Sequence, residues 1–105
     1  MNSITLIGRP TKDIETRVTQ SGKTVTTFTL ACDRNRRNDG TDFFTVVAWE
    51  RSAELLGQYV HKGDLIAIIG RLTQRLYDKD GEERVATEIV ADTVTFLGKK
   101  GNNGE

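Results

Sequence analysis

The stretch FFTVVAWER, residues 43–51, decides how this chain is read. Successive side chains of a strand point to opposite faces, so Phe44, Val46 and Ala48 form one row and Phe43, Thr45, Val47 and Trp49 the other. Both rows carry apolar groups. Such a strand is either buried on both sides, or it closes a core with one face and offers the other to something flat. Trp49 is the only tryptophan in 105 residues, of which 7% are aromatic, so its place on the second row needs a reason.

Upstream, TVTTFTLACD sets Phe28, Leu30 and Cys32 on one face against Thr27 and Thr29, a half-buried strand. Before it, SITLIG alternates Ile4, Leu6 and Gly8 with Thr5 and Ile7. Pro10 interrupts the pattern and IETRVT resumes it, so the first strand is broken or bulged. Ser21 and Gly22 supply a hairpin turn at residues 20–23. The aperiodic RNRRNDGTD returns the chain antiparallel into the opening stretch.

Downstream the period changes. Ala53, Leu56, Tyr59 and Val60 recur at threes and fours, which predicts a helix with Ser52 as N-cap, His61 and Lys62 in its last turn and Gly63 just past its end. DLIAIIGRLTQRLY then aligns Ile66, Ile68, Gly70 and Leu72, DKDG turns, and RVATEIVADTVTFLG returns as a long last strand. Gly70 within a strand predicts a bend or bulge. Short antiparallel strands with one helix between the third and fourth describe an all-β OB-fold, a five-stranded Greek-key barrel.

Composition narrows the function classes. Hydrophobic residues make up 36% and charged residues 29%, so the core is thin and much of each strand lies near solvent or a partner, for which oligomerisation compensates. Fifteen basic residues balance fifteen acidic ones, so any attraction to nucleic acid has to come from local patterning. A single cysteine, Cys32, excludes an internal disulfide, suits a reducing cytosol and falls on a core-facing row. The longest aliphatic block, LIAII, is far too short to span a bilayer, and MNSITLIGR has no leader pattern, so no membrane association is expected and a cytoplasmic location is. Residues 1–98 are expected to form one domain, and residues 99–105 a flexible tail rich in glycine and asparagine.

An OB-fold binds ligands on the face of its second and third strands and on the loops between strands one and two and strands four and five. On strand three the outward row is Phe43, Thr45, Val47 and Trp49, followed by Arg51. On strand four it is Arg71, Thr73, Arg75 and Tyr77. Any nucleobase can stack on an aromatic ring whatever its identity, while arginine pairs with phosphates and also stacks. Arg9 at the end of the first strand and the loop residues Arg34, Arg36 and Arg37 add positive charge, offset by Asp33 and Asp39. The interleaving favours single-stranded nucleic acid, because a duplex hides its base faces and leaves only the phosphate attraction. The plainer alternative is that Phe43 or Tyr77 packs in a subunit interface and the arginine run is a solvated loop.

Other chemistries find less support. DKDGEE lacks the ligand spacing of a calcium loop and reads better as a turn at Asp80 and Gly81; His61 reads as a surface residue. No nucleophile motif, glycine-rich phosphate loop or zinc spacing is present, so no metal, cofactor or catalytic residue is assigned. A nuclease would need convergent carboxylates where this face carries arginine, threonine and aromatic groups.

The chain resembles the bacterial single-stranded DNA-binding protein family over nearly its whole length, above all through TDFFTVVAWERSAELLGQYVHKG followed by GRLTQRLYDKDGEERVATEIVAD. The resemblance implies a homotetramer that binds single-stranded DNA without sequence preference in replication, recombination and repair. It places Phe43, Trp49 and Tyr77 on base-stacking positions. Arg36 falls where the family usually has another stacking aromatic, so phosphate and cation–π contacts are expected there. Asp13 to Glu15 read DIE where the family has DPE, and Phe44 takes an interface position usually held by histidine. Family members end in a linker and an acidic, Phe-tipped tail; none is seen here, so recruitment of repair and replication enzymes is not expected. A trimmed domain, a DNA-uptake paralogue and a phage or plasmid version remain open. A dimeric primosomal replication protein of the same fold is the alternative within nucleic-acid binding, and a protein-interaction barrel the alternative outside it.

Overall fold

In the computed structural model, which describes residues 1–34 and 40–100, the alternating stretches form the strands β1 (Ile4–Pro10), β2 (Arg17–Val18), β3 (Thr24–Asp33), β4 (Thr41–Trp49), β5 (Leu65–Lys79) and β6 (Glu82–Gly98), with the helix α1 (Glu50–Tyr59) between β4 and β5. The strands hydrogen-bond in the order β1-β5-β6-β4-β3-β2, and a further β1–β3 pairing closes the sheet. Every ladder is antiparallel except β4–β6. This is the expected OB-fold barrel. The additional strand, β2, is a two-residue continuation of the broken first strand, because Pro10 has no N–H to carry the ladder further.

The inward rows make the core. Phe28, Leu30 and Cys32 of β3, Val46 and Ala48 of β4, Ile66 and Ile68 of β5, and Ile89 and Ala91 of β6 are buried together with Ala53 and Leu56 of α1. Full burial of each large aliphatic side chain contributes roughly 1.5–3 kcal/mol, offset by chain entropy. Phe44 is partly buried against this cluster, opposite Leu30. The Cys32 thiol is raised above its ordinary pKa, first by burial and then by the negative charges of Asp42 and Asp33, so it remains a neutral packing group. Buried Thr26 donates to the Glu15 carbonyl at 2.6 Å. Among the described residues, no helix is long and apolar enough to cross a membrane.

The helix departs from the expected limits. It starts at Glu50 rather than after Ser52, with extended Trp49 as N-cap, because β4 runs into it without a loop. It ends at Tyr59, so His61 and Lys62 lie beyond its last turn. Val60, extended past the end, supplies the last core contact, which leaves Tyr59 exposed. Buried Asp64 organises this exit: its carboxylate accepts the His61 N–H at 2.8 Å and the Lys100 N–H at 3.0 Å.

Two glycines let strands approach. At Gly8, where β1 passes from β5 to β3, a Cβ would collide with the Ala31 carbonyl oxygen. At Gly70 the β5–β6 register shifts, as the sequence predicts, and a Cβ would collide with the Val90 carbonyl oxygen. Asp80 and Gly81, both at positive φ, form the turn joining β5 to β6, again as predicted. Since the atom in the way at Gly70 is backbone, Gly70→Ala is predicted to lower the unfolding free energy by about 1–3 kcal/mol. Urea denaturation checks this, and an unchanged midpoint would contradict the packing described.

Candidate nucleic-acid interface

Residues opposite each other in a ladder share a face. Where β4 meets β6, Val46 pairs with Ile89 on the inside and Val47 with Val90 on the outside; Val90 in turn pairs with Arg71 of β5. One outer surface therefore runs from the Phe43, Thr45, Val47, Trp49 row across β6 to the Arg71, Thr73, Arg75, Tyr77 row. On the other flank, Phe43 pairs with Ala31, and Ala31 with Arg9 of β1, so Arg9 joins the same surface.

The three candidate aromatics lie outside the barrel. Phe43 is 64% exposed, Trp49 42% and Tyr77 38%. Val47, expected on the open row, is nearly buried instead, because it lies between Thr27 of β3 and Val90 of β6, which shade it from both sides. Tyr77 stands on the part of the β5–β6 hairpin that extends beyond the barrel, opposite Arg84. Phe43 also lines a groove of about 740 Å³ shared with Ile7, Arg9, Ala31 and Thr41.

The arginines are not equivalent. Arg34 donates to Asp42 through Nε at 3.1 Å and Nη2 at 2.9 Å. Arg71 meets Asp92 at 3.2 Å, and Arg75 meets Glu88 at 2.8 Å. Arg9 donates to the Gly63 carbonyl at 2.7 Å, so part of its donor capacity holds the turn before β5. Arg51, in the first turn of α1 beside Trp49, is exposed and has no ion-pair partner among the described residues. Arg36 and Arg37 lie outside the described residues.

At this surface the shifted pKa values follow from hydrogen bonds between arginines and carboxylates. The bond from Arg34 holds the Asp42 carboxyl below its ordinary value, and the same contact raises the guanidinium. The Glu88 bond likewise raises Arg75. These groups are exposed, so the contacts orient side chains more than they stabilise the fold. The arginine rows were legible in the sequence; their carboxylate partners were not singled out there. Counting outward from the Asp80-Gly81 turn sets Glu88 opposite Thr73, one diagonal step from Arg75, and is the signal that could have found it. Among the described residues, no cluster of three or more His, Cys, Asp or Glu is placed to hold a metal ion.

A surface of exposed rings and guanidinium groups on a rigid sheet can stack unpaired bases and contact the phosphates between them. Known proteins are similar to this chain in sequence. The model of the single-strand binding protein family matches residues 1–97. A single-stranded DNA-binding protein of Clostridium tetani is 49% identical over 99% of this chain and 77% of its own length. Single-stranded DNA-binding protein 3 of Clostridium acetobutylicum is 46% identical over 98% of this chain and 76% of its own. Single-stranded DNA-binding protein 1 of Streptococcus pyogenes is 45% identical over 97% and 82%.

Proposed function

The chain belongs to the single-strand binding protein family, and from that membership we propose that it binds and protects single-stranded DNA, without sequence preference, in replication, recombination and repair. The observation that carries this reading is the exposure of Phe43, Trp49 and Tyr77 on the outer rows of one barrel. Bases stack on these rings, and Arg51, with Arg9, Arg34 and Arg71 around them, supplies positive charge to the strand between; Arg75 completes the site beside Tyr77, and Arg36, outside the described residues, is assigned to binding from the family resemblance alone. Stacking is indifferent to base identity, and no side chain is assigned to read a base edge. The reading involves no catalytic step: the carboxylates Asp42, Glu88 and Asp92 near this surface face arginines. It implies work in the cytoplasm, at the nucleoid, by a domain spanning residues 1–98.

The same reading includes assembly of the chain into a homotetramer. Its support is apolar surface that a monomer would leave in water: Ile7 and Ile69 on β1 and β5, and Leu72, Leu76 and Val85 on the opposite side of the hairpin from Tyr77.

Two measurements test these statements. Trp49→Ala and Tyr77→Ala are each predicted to weaken binding of dT, dC and dA oligonucleotides alike, by about 5- to 150-fold, the equivalent of ~1–3 kcal/mol per stacked base. Titration of each variant with the three homopolymers checks this; a loss confined to one base would contradict non-specific stacking. Light scattering is predicted to give four times the chain mass, whereas twice the chain mass would favour the dimeric arrangement of a primosomal protein.

A further inference from the structure

Arg75 occupies an unusual position among the cations of the interface. Its Nη2 donates to Glu88 Oε2 at 2.8 Å and its Nε to Oε1 at 3.5 Å, so the carboxylate takes one edge of the guanidinium side-on through two N–H groups. The guanidinium carbon also lies 5.6 Å from the centre of the Tyr77 ring, two residues on along the same row. Glu88 is well shielded, with 14% of its side chain exposed against 57% for Arg75, and its backbone carbonyl accepts the Thr73 hydroxyl at 3.1 Å. The carboxylate is thus fixed in the sheet and the arginine is held to it.

We propose that Glu88 is a positioning residue of the interface: it neutralises Arg75 and holds the guanidinium against Tyr77, so that this pair serves a stacked base and not a phosphate. The inference rests on the single-strand binding reading above. If Arg75 moved to a phosphate, a shielded carboxylate would be left without its counterion beside an incoming anion, and leaving a shielded charge unpaired is costly. While Arg75 stays, Glu88 has no such loss. One face of Tyr77 is then occupied by a flat cation and the other is left for a base, giving a layered arrangement of guanidinium, ring and base. A cation already neutralised by the protein contributes little to the release of counterions from DNA.

The salt dependence of binding separates this role from a merely structural one. Anisotropy of a labelled oligo(dT) is measured against sodium chloride for the whole protein and for Glu88→Gln, Arg75→Gln and the double variant. Glu88→Gln keeps the shape of the side chain and frees the cation, so the slope of log K against log salt should steepen by about 0.7, the value for one further phosphate contact on a single strand. Arg75→Gln should weaken binding while leaving the slope at its wild-type value, and the double variant should return to that slope. An unchanged slope in Glu88→Gln, or a shallower one in Arg75→Gln, would overturn the proposal. Should Glu88→Gln fail to fold by circular dichroism, the slope of Arg75→Gln alone decides. A wild-type protein that does not bind oligo(dT) at any salt would instead overturn the functional reading, a result distinguishable from both.

Discussion

The arrangement depends on one rung of the sheet. Val46 and Val47 of β4 lie beside Ile89 and Val90 of β6 in the barrel's parallel pairing. That rung fixes which alternate residues of three strands face inward. Through it, Ile89 belongs to the inner row, whose parity Leu72 carries onto the exposed part of the hairpin, and Val90 and Arg71 belong to the outer one. A slip of one residue would send every side chain of a strand to the other face, putting Trp49 and Phe43 in the core and Val46 and Ala48 in water. Burial of Val46 and Ile89 therefore does more than stabilise: it commits the aromatic and arginine rows to a common exterior.

Three of the arginines on that exterior are paired with carboxylates. Among the described residues, Arg34, Arg71 and Arg75 each face a carboxylate, which lowers the number of unpaired cations available for binding through counterion release. In the proposed reading affinity falls mainly to stacking, which accounts for the exposure of Phe43, Trp49 and Tyr77. In that reading Arg51, exposed and without an ion-pair partner among the described residues, is the cation assigned to a phosphate.

Much of this was legible in the sequence, for a definite reason. The inner rows, the Gly70 bulge and the Asp80-Gly81 turn follow from local rules of alternation and positive φ, and the three rings could be assigned to an outer row by counting in twos. The fold needed only the order of elements. What escaped depends on tertiary neighbours. Val47 has an outward parity but is covered by its flanking strands. Tyr59 has a helical core spacing but gives way to Val60. Ser52 has the chemistry of a cap, yet the direct run of β4 into α1 makes Trp49 the cap. The arginine–carboxylate pairs join residues 8 to 21 positions apart on or beside neighbouring strands, and follow only when the register is counted outward from a turn. The loop arginines Arg36 and Arg37 lie outside the described residues.

The central claim is that single-stranded DNA lies against the outer row while the inner row stays closed. Aromatic proton resonances followed during titration with oligo(dT) report both rows at once. The account predicts ring-current shifts at Phe43, Trp49 and Tyr77, with Phe28 in the core and Tyr59 at the end of α1 unmoved. Unmoved signals from the first three rings, or the largest shifts at Tyr59, would contradict it.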